Sequence, residues 1–164
     1  MRRGIYCLLF VLLIVAFSSC EEEPEDLQIN DFVNQEYESK KNRLFAATIG
    51  FEEFEASKVE VDSFNGQWIF WAFNESKQVK ILLPYIKIQS YFATDSNEIE
   101  MRYKQQGGEW YSSIRAKKSP HLNIEITQVD STIRHLFGRF EGEIFNEKSE
   151  KLFVKRGVFN RVKY

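Results

Sequence analysis

Histidine and cysteine, which often serve acid–base and nucleophilic chemistry, are few in this chain. Histidine occurs only at His121 and His135, and cysteine only at Cys7 and Cys20. His135 is expected on an apolar strand face, where a histidine more often satisfies its hydrogen bonds than acts as a base or a ligand. No Gly-x-Ser-x-Gly sequence marks a nucleophilic serine. These observations favour a non-catalytic protein and assign no catalytic residue.

Metal and carboxylate chemistry are also weakly indicated. Two histidines without a free cysteine do not make a zinc site. The sequence Asp95-Ser96-Asn97-Glu98 offers oxygen ligands but lacks the Asp-x-Asp-x-Asp-Gly order of a calcium loop. A hydrolase with a carboxylate pair is a third alternative for function, although nothing singles out two of the 24 acidic residues. We therefore expect neither a metal nor a cofactor.

Aromatic residues give the more specific functional indication. The register around Asn65-Gly66 places Trp71 and Phe73 beside carboxylates on the face opposite an ordinary core set. Trp110 and Tyr111 are adjacent in the sequence, so their rings are expected to point to opposite faces of the sheet. Such rings could stack on a sugar or a peptide, or they could form the second layer of a sandwich or a barrel interior. The candidate ligand-binding residues are therefore Trp71, Phe73, Trp110 and Tyr111.

The elements that would position these rings begin near residue 43. Short apolar runs alternate with turn signals, and no convincing helix lies between them. The pair Asn65-Gly66 predicts a type I′ hairpin turn. This pattern predicts one all-β domain over residues 43–164, an antiparallel β-sandwich or up-and-down barrel of about 8–10 short strands.

A second hairpin is predicted around Asp130-Ser131. A two-residue turn there would place Val129 opposite Thr132, Ile126 opposite His135, and Ile124 opposite Phe137. That register would gather these side chains, His135 included, on one apolar face.

The first twenty residues have the order of a secretory signal. Arg2 and Arg3 precede an apolar run over residues 5–17, and Ser18-Ser19 stands before Cys20. The run is too short to span a bilayer, which takes about 20 apolar residues. The segment resembles the bacterial lipoprotein signal, which implies that residues 1–19 are removed and that Cys20 is lipidated and anchors the protein in a membrane. The alternatives are an ordinary signal peptide and an uncleaved signal anchor.

An acidic run, 21–26, follows the cysteine within a tether over residues 20–42 that could include a short helix. The run resembles the charged patch by which Bacteroidota-type lipoproteins reach the outer face of the outer membrane. It could also be a solvated, self-repelling spacer. We expect an outer membrane lipoprotein on the cell surface or the periplasmic face.

Several short motifs combine turn and core residues: Phe45–Gly50, Phe54–Ser57, Gly138-Arg139-Phe140 and Gly157-Val158-Phe159. Together they resemble a family of small β-rich lipoproteins of Bacteroidota that has no assigned activity. The resemblance implies the β fold and the lipid tether, and it transfers no functional residue.

The whole chain carries a formal net charge of −2, and loss of Arg2 and Arg3 with the signal would make it more acidic. An acidic chain is a poor partner for nucleic acid, which needs a basic stripe. We expect a non-catalytic surface module that binds a glycan, a peptide or an envelope partner through one sheet face. The second hypothesis is a calyx-like carrier of a small apolar ligand.

Overall fold

The structure is a computed structural model that describes residues 42–93, 99–115 and 121–164, all within the compact unit Glu36–Tyr164. The expected signal peptide, the lipidation site at Cys20, nearly all of the tether and the possible calcium loop at 95–98 lie outside the described residues. The described part consists of β-strands, one 3₁₀ turn and connecting loops.

Eleven strands are described, which confirms the predicted all-β fold class. They are β1 (Phe45–Ile49), β2 (Glu52–Glu55), β3 (Lys58–Phe64), β4 (Gln67–Phe73), β5 (Lys77–Leu83), β6 (Gln89–Phe92), β7 (Glu100–Gln105), β8 (Trp110–Ser112), β9 (Leu122–Asp130), β10 (His135–Phe145) and β11 (Lys151–Lys163). The 3₁₀ turn covers Ser113–Arg115.

All strand pairs are antiparallel and belong to one sheet. Its main path runs β2-β1-β11-β10-β8-β7-β5-β4-β3, and a branch adds β9 beside β10 and β6 beside β9. The branch arises because the first part of β10 pairs with β9, whereas Phe145 at its end pairs with Ser112 of β8. The sheet curls into a half-barrel, so that Phe70 of β4 contacts Phe159 of β11 with ring centroids 5.8 Å apart.

The β3–β4 hairpin has the predicted register. Glu60 lies opposite Trp71, and Phe64 lies opposite Gln67. Asn65 and Gly66 both have positive φ, 51° and 80°, as a type I′ turn requires. This register fixes which side chains of β4 point away from the core.

The predicted β9–β10 register is wrong. The turn has four residues, 131–134, so Asp130 lies opposite His135 and Val129 lies opposite Leu136. The carboxylate of Asp130 accepts hydrogen bonds from the backbone N–H groups of Thr132 and Ile133, which stabilises the longer turn.

This change exchanges the two faces of β10. Leu136 is fully buried, and His135 is partly exposed rather than a core histidine. A bulge at Phe137 and Gly138 then shifts the register again, so that Ile124 lies opposite Phe140 rather than Phe137.

Five buried phenylalanines form the centre of the core. They are Phe45, Phe54, Phe70, Phe140 and Phe159, and their ring centroids lie between 5.0 and 6.5 Å from one another where they touch. In the β10–β11 ladder, Gly138 lies opposite Phe159 and Gly157 lies opposite Phe140. The two Gly-x-Phe motifs therefore pair crosswise, each glycine beneath the other strand's ring.

Candidate functional site

Three of the four predicted ligand-binding residues share one face of the sheet. On β4 the core-facing positions are Trp68, Phe70 and Ala72, so Trp71 and Phe73 point outward. Trp110 lies opposite Lys104, and the two side chains are in contact on this outward face. We call this surface the aromatic–cationic face; it comprises Trp71, Phe73, Gln78, Lys80, Arg102, Lys104 and Trp110.

Strand register arranges these residues in two rows across β4, β5, β7 and β8. The first row is Phe73, Gln78, Lys104 and Trp110. The second row is Trp71, Lys80, Arg102 and Ser112. Each row therefore places polar or cationic side chains between an aromatic residue of β4 and the strand β8.

A lysine lies over each tryptophan of this face. Lys80 Nζ is 5.4 Å from the Trp71 ring centroid, and Lys104 Nζ is 5.7 Å from that of Trp110. Trp71 is 40% exposed and Trp110 is partly exposed. Because neither ring is fully buried, both can be reached from solvent.

Arg102 is held in a fixed orientation at the centre of the face. Its Nε and Nη2 atoms donate to the two carboxylate oxygens of Glu100 at 2.6 and 2.7 Å, and Ser112 Oγ donates to the same carboxylate at 2.6 Å. Glu100 is only 5% exposed. Its hydrogen bonds raise the pKa of Arg102, and the fork geometry leaves the outer edge of the guanidinium for a ligand.

The face carries more positive charge than its own acids neutralise. Lys80 lies directly opposite Arg102, a like-charge pair that is unfavourable in a sheet. Within the described ranges, neither Lys80 nor Lys104 has a carboxylate at ion-pair distance. The arrangement is therefore suited to an anionic group placed over β5 and β7.

Tyr111 points to the other side of the sheet, so the prediction that Trp110 and Tyr111 face opposite ways is confirmed. Its ring lies 6.4 Å from that of Tyr103, and the two planes are inclined by 48°. Both rings line an open cleft of about 540 Å³, which we call the tyrosine cleft. Its other walls come from residues 49–52 at the β1–β2 turn, residues 107–109 at the β7–β8 turn, and Asn146, Glu150 and Leu152.

The Tyr103 hydroxyl is an unusual feature of this cleft. Tyr103 is 5% exposed, and its hydroxyl makes no hydrogen bond with any residue that the structure describes. Burial is the main reason that its pKa is raised above the ordinary tyrosine value, so the phenol stays protonated. Among the described residues, the one buried side-chain oxygen or nitrogen without a partner is Asn123 Oδ1, so the Tyr103 hydroxyl is reached by solvent and a bound molecule could take the place of water as its partner.

Three carboxylates also border the tyrosine cleft. Glu52 forms an ion pair with Lys77 at 2.6 Å, and Glu109 forms one with Lys148 at 2.9 Å. Glu150 accepts a hydrogen bond from the Asn146 amide at 2.6 Å.

The remaining sequence candidates do not join either site. His121 lines a separate groove of about 490 Å³ beside Phe92 and Phe153. Across residues 42–93, 99–115 and 121–164 there is no group of three or more His, Cys, Asp or Glu side chains that could hold a metal ion. Nor does any helix in these ranges have the length and apolarity that a membrane crossing requires.

Sequence reasoning missed the cations and Tyr103. The signal for Lys80 was present, because a hairpin register across residues 74–77 puts it opposite Trp71. Arg102 and Tyr103 could not be placed in this way, since β6 separates β5 from its neighbour β7 along the chain.

The chain matches no protein-family model, and neither a curated protein nor a solved structure shows significant similarity to it.

Proposed function

We propose that this protein is a non-catalytic binding module, anchored in the outer membrane through a lipid on Cys20, whose aromatic–cationic face binds an acidic glycan. The anchor rests on the resemblance of residues 1–26 to a lipoprotein signal with an acidic export patch. The observation that carries the binding function is the cluster of Lys80, Arg102 and Lys104 between Trp71 and Trp110.

Each part of the face matches one part of an acidic sugar chain. The guanidinium of Arg102, oriented by Glu100, can bind a carboxylate or sulfate with two parallel hydrogen bonds. Lys80 and Lys104 supply further positive charge, and the tryptophans offer apolar rings to the C–H faces of sugars. Phe73 and Trp110 are three strand spacings apart, about 14 Å along the sheet, so a ligand that touches both must be an extended chain.

A glycan suits this face better than a nucleic acid or an apolar ligand. The basic patch covers only two rows of a protein with a net charge of −2, whereas nucleic acids need a longer basic stripe. The tyrosine cleft is open and bordered by three carboxylates, so it does not favour the calyx-like carrier of an apolar ligand.

The test uses the full-length chain with the substitution Cys20→Ala. Oligogalacturonate is titrated into this protein, and binding is measured by the change in tryptophan fluorescence. The double variant Lys80→Gln/Lys104→Gln should bind at least about tenfold more weakly, because two charge-assisted contacts are lost. Trp71→Ala should also weaken binding. Lys87→Gln is the matched control, since Lys87 lies over Tyr85 outside this face.

Affinity should also fall as salt is added, because the proposed contacts are exposed charges. Equal binding of a neutral oligoglucan, or unchanged affinity in the double lysine variant, would contradict the proposal. Binding of oligonucleotides in preference to oligogalacturonate would assign the face to a different ligand.

A further inference from the structure

We propose that the tyrosine cleft is a second binding site, specific for a neutral, hydroxyl-rich ring such as a pyranose sugar. This inference does not depend on the function proposed for the aromatic–cationic face, because Tyr103 and Tyr111 point to the opposite side of the sheet.

The first step of the argument is the Tyr103 hydroxyl. Tyr103 is 5% exposed, its hydroxyl is protonated and makes no hydrogen bond with a described residue, and the hydroxyl meets solvent at a cleft that Tyr103 lines. A protonated phenol both donates and accepts a hydrogen bond. A ligand hydroxyl at this position could both accept a hydrogen bond from the phenol and donate one to it. An apolar ligand would displace water without replacing these hydrogen bonds, which would weaken its binding.

The second step is the charge of the cleft. Of the three carboxylates that border the cleft, those of Glu52 and Glu109 are paired with Lys77 and Lys148. The carboxylate of Glu150 has no such partner among the described residues and would repel an anionic ligand. A neutral ligand therefore enters without breaking an ion pair.

The third step is the hydrogen-bonding capacity at the other wall. Glu150 accepts from the Asn146 amide at 2.6 Å, and its own backbone N–H donates to Asn146 Oδ1 at 2.8 Å. A carboxylate has about four lone-pair positions, so Glu150 can still accept from ligand hydroxyls. Asn146 is 3% exposed, and these bonds hold the carboxylate in place.

The fourth step is the shape of the aromatic wall. The inclined rings of Tyr103 and Tyr111 form a corner against which the C–H face of a sugar ring can pack. Phe51, which is fully exposed at the β1–β2 turn, supplies a third ring at the rim. A cleft of about 540 Å³ has room for one or two sugar rings.

The test uses the full-length chain carrying Cys20→Ala, and isothermal titration with glucose, galactose and N-acetylglucosamine. Choline and its uncharged isostere 3,3-dimethylbutanol serve as the cationic and apolar probes. We expect at least one of the sugars to bind, and Tyr111→Ala to weaken that binding by about tenfold or more.

Tyr103→Phe is the diagnostic variant. Because the hydroxyl has no described partner in the free protein, its removal should leave the thermal midpoint unchanged or raised while sugar affinity falls about threefold to tenfold. A variant that lost stability and affinity together would show a structural role for the hydroxyl and overturn the proposal.

Lys80→Gln/Lys104→Gln is the control for the other face and should bind the sugar normally. If it loses sugar binding while Tyr103→Phe does not, the sugar binds the aromatic–cationic face and this proposal fails. Binding of choline in preference to every sugar would show a cation site, and absence of binding by all three sugars would also overturn the inference.

Discussion

At two positions of the β10–β11 ladder, the lack of a side chain determines how the core is packed. A Cβ atom on Gly157 would lie 2.5 Å from both Cδ2 and the carbonyl oxygen of Phe140. A Cβ on Gly138 would collide with the ring of Phe159 and with the carbonyl oxygen of Glu125. Each glycine therefore provides the space in which the opposite phenylalanine lies.

Gly157→Ala should lower the free energy of unfolding by about 1–3 kcal/mol, because the new methyl group overpacks the core against backbone as well as side chain. Urea denaturation measures the loss. Gly66→Ala is the comparison, since a Cβ there meets nothing within 4 Å and only its positive φ is unfavourable, at about 1 kcal/mol. An unchanged unfolding midpoint in Gly157→Ala would refute the packing account.

Tyr103 should make the stability of the fold depend on alkaline pH. Burial raises its pKa in the folded state, so the unfolded chain loses this proton first, near the ordinary value of 10.0. The free energy of unfolding is therefore unaffected by this proton below that pH and declines as pH rises from there toward the raised folded value. Denaturant titrations above pH 10 should therefore show a smaller decline for Tyr103→Phe than for the unmodified chain, and parallel declines would contradict this.

At the scale of the elements, the two hairpins show which parts of the fold can be predicted from the sequence. The β3–β4 register was predictable because the conformation of Asn65-Gly66 requires positive φ at both residues. The β9–β10 register was not, because Asp130 stabilises a four-residue turn through bonds to the backbone that hydrophobic alternation does not reveal. That difference moved His135 out of the core and Leu136 into it.

The same contrast applies to the candidate site. The hairpin register alone predicts that Trp71 points outward, and its aromatic side chain made it a candidate for ligand binding. The positions of Arg102 and Tyr103 depend on β7 pairing with β5 across an intervening strand, a long-range contact without a local signal. Local patterns thus identified the rings, and tertiary pairing supplied the cations and the Tyr103 hydroxyl.

Asn74 joins the β4–β5 turn to Glu55 at the end of strand β2. Its Oδ1 atom accepts from the backbone of Ser76 and Lys77 at 3.0 and 2.9 Å, and its Nδ2 atom donates to the Glu55 carbonyl oxygen at 2.9 Å. Asn74→Ala removes all three bonds and should lower the free energy of unfolding by about 1–3 kcal/mol. Ser76→Ala keeps the backbone donors and should change stability little; equal losses in the two variants would contradict the assigned role.

Over the whole molecule, the two proposed sites differ in the charge left unpaired among the described residues, which is Lys80 and Lys104 on the aromatic–cationic face and Glu150 at the tyrosine cleft. The aromatic–cationic face presents Lys80, Arg102 and Lys104, whereas the tyrosine cleft is bordered by three carboxylates. A single ligand chemistry would not suit both surfaces. The domain is therefore expected to distinguish charged from uncharged sugars by the surface on which each one binds.

The proposed membrane anchor gives a prediction for the intact cell. Cys20→Ala should release the protein into the soluble fraction, because stable attachment requires acyl chains that contribute about 0.8 kcal/mol per buried CH₂. Membrane fractionation measures this release, and a variant that still sediments with membrane would show that the attachment is of another kind.

Protease treatment of intact cells determines on which side of the outer membrane the domain lies. Loss of the domain from intact cells would support the surface location, and a variant with Glu21–Glu23 neutralised should then become protected. Digestion of the unmodified protein only after the outer membrane is ruptured would place it in the periplasm and would refute the export role of the acidic run.

The crosswise contact between the two Gly-x-Phe motifs constrains how this sequence can diverge. A side chain at Gly157 or Gly138 would meet a backbone oxygen as well as the opposite phenylalanine ring, so a smaller residue at Phe140 or Phe159 would not by itself make room for it. Distant relatives should therefore keep both glycines together with both phenylalanines. A search pattern built from the two tripeptides with a variable gap could detect kinship that overall sequence identity no longer reveals.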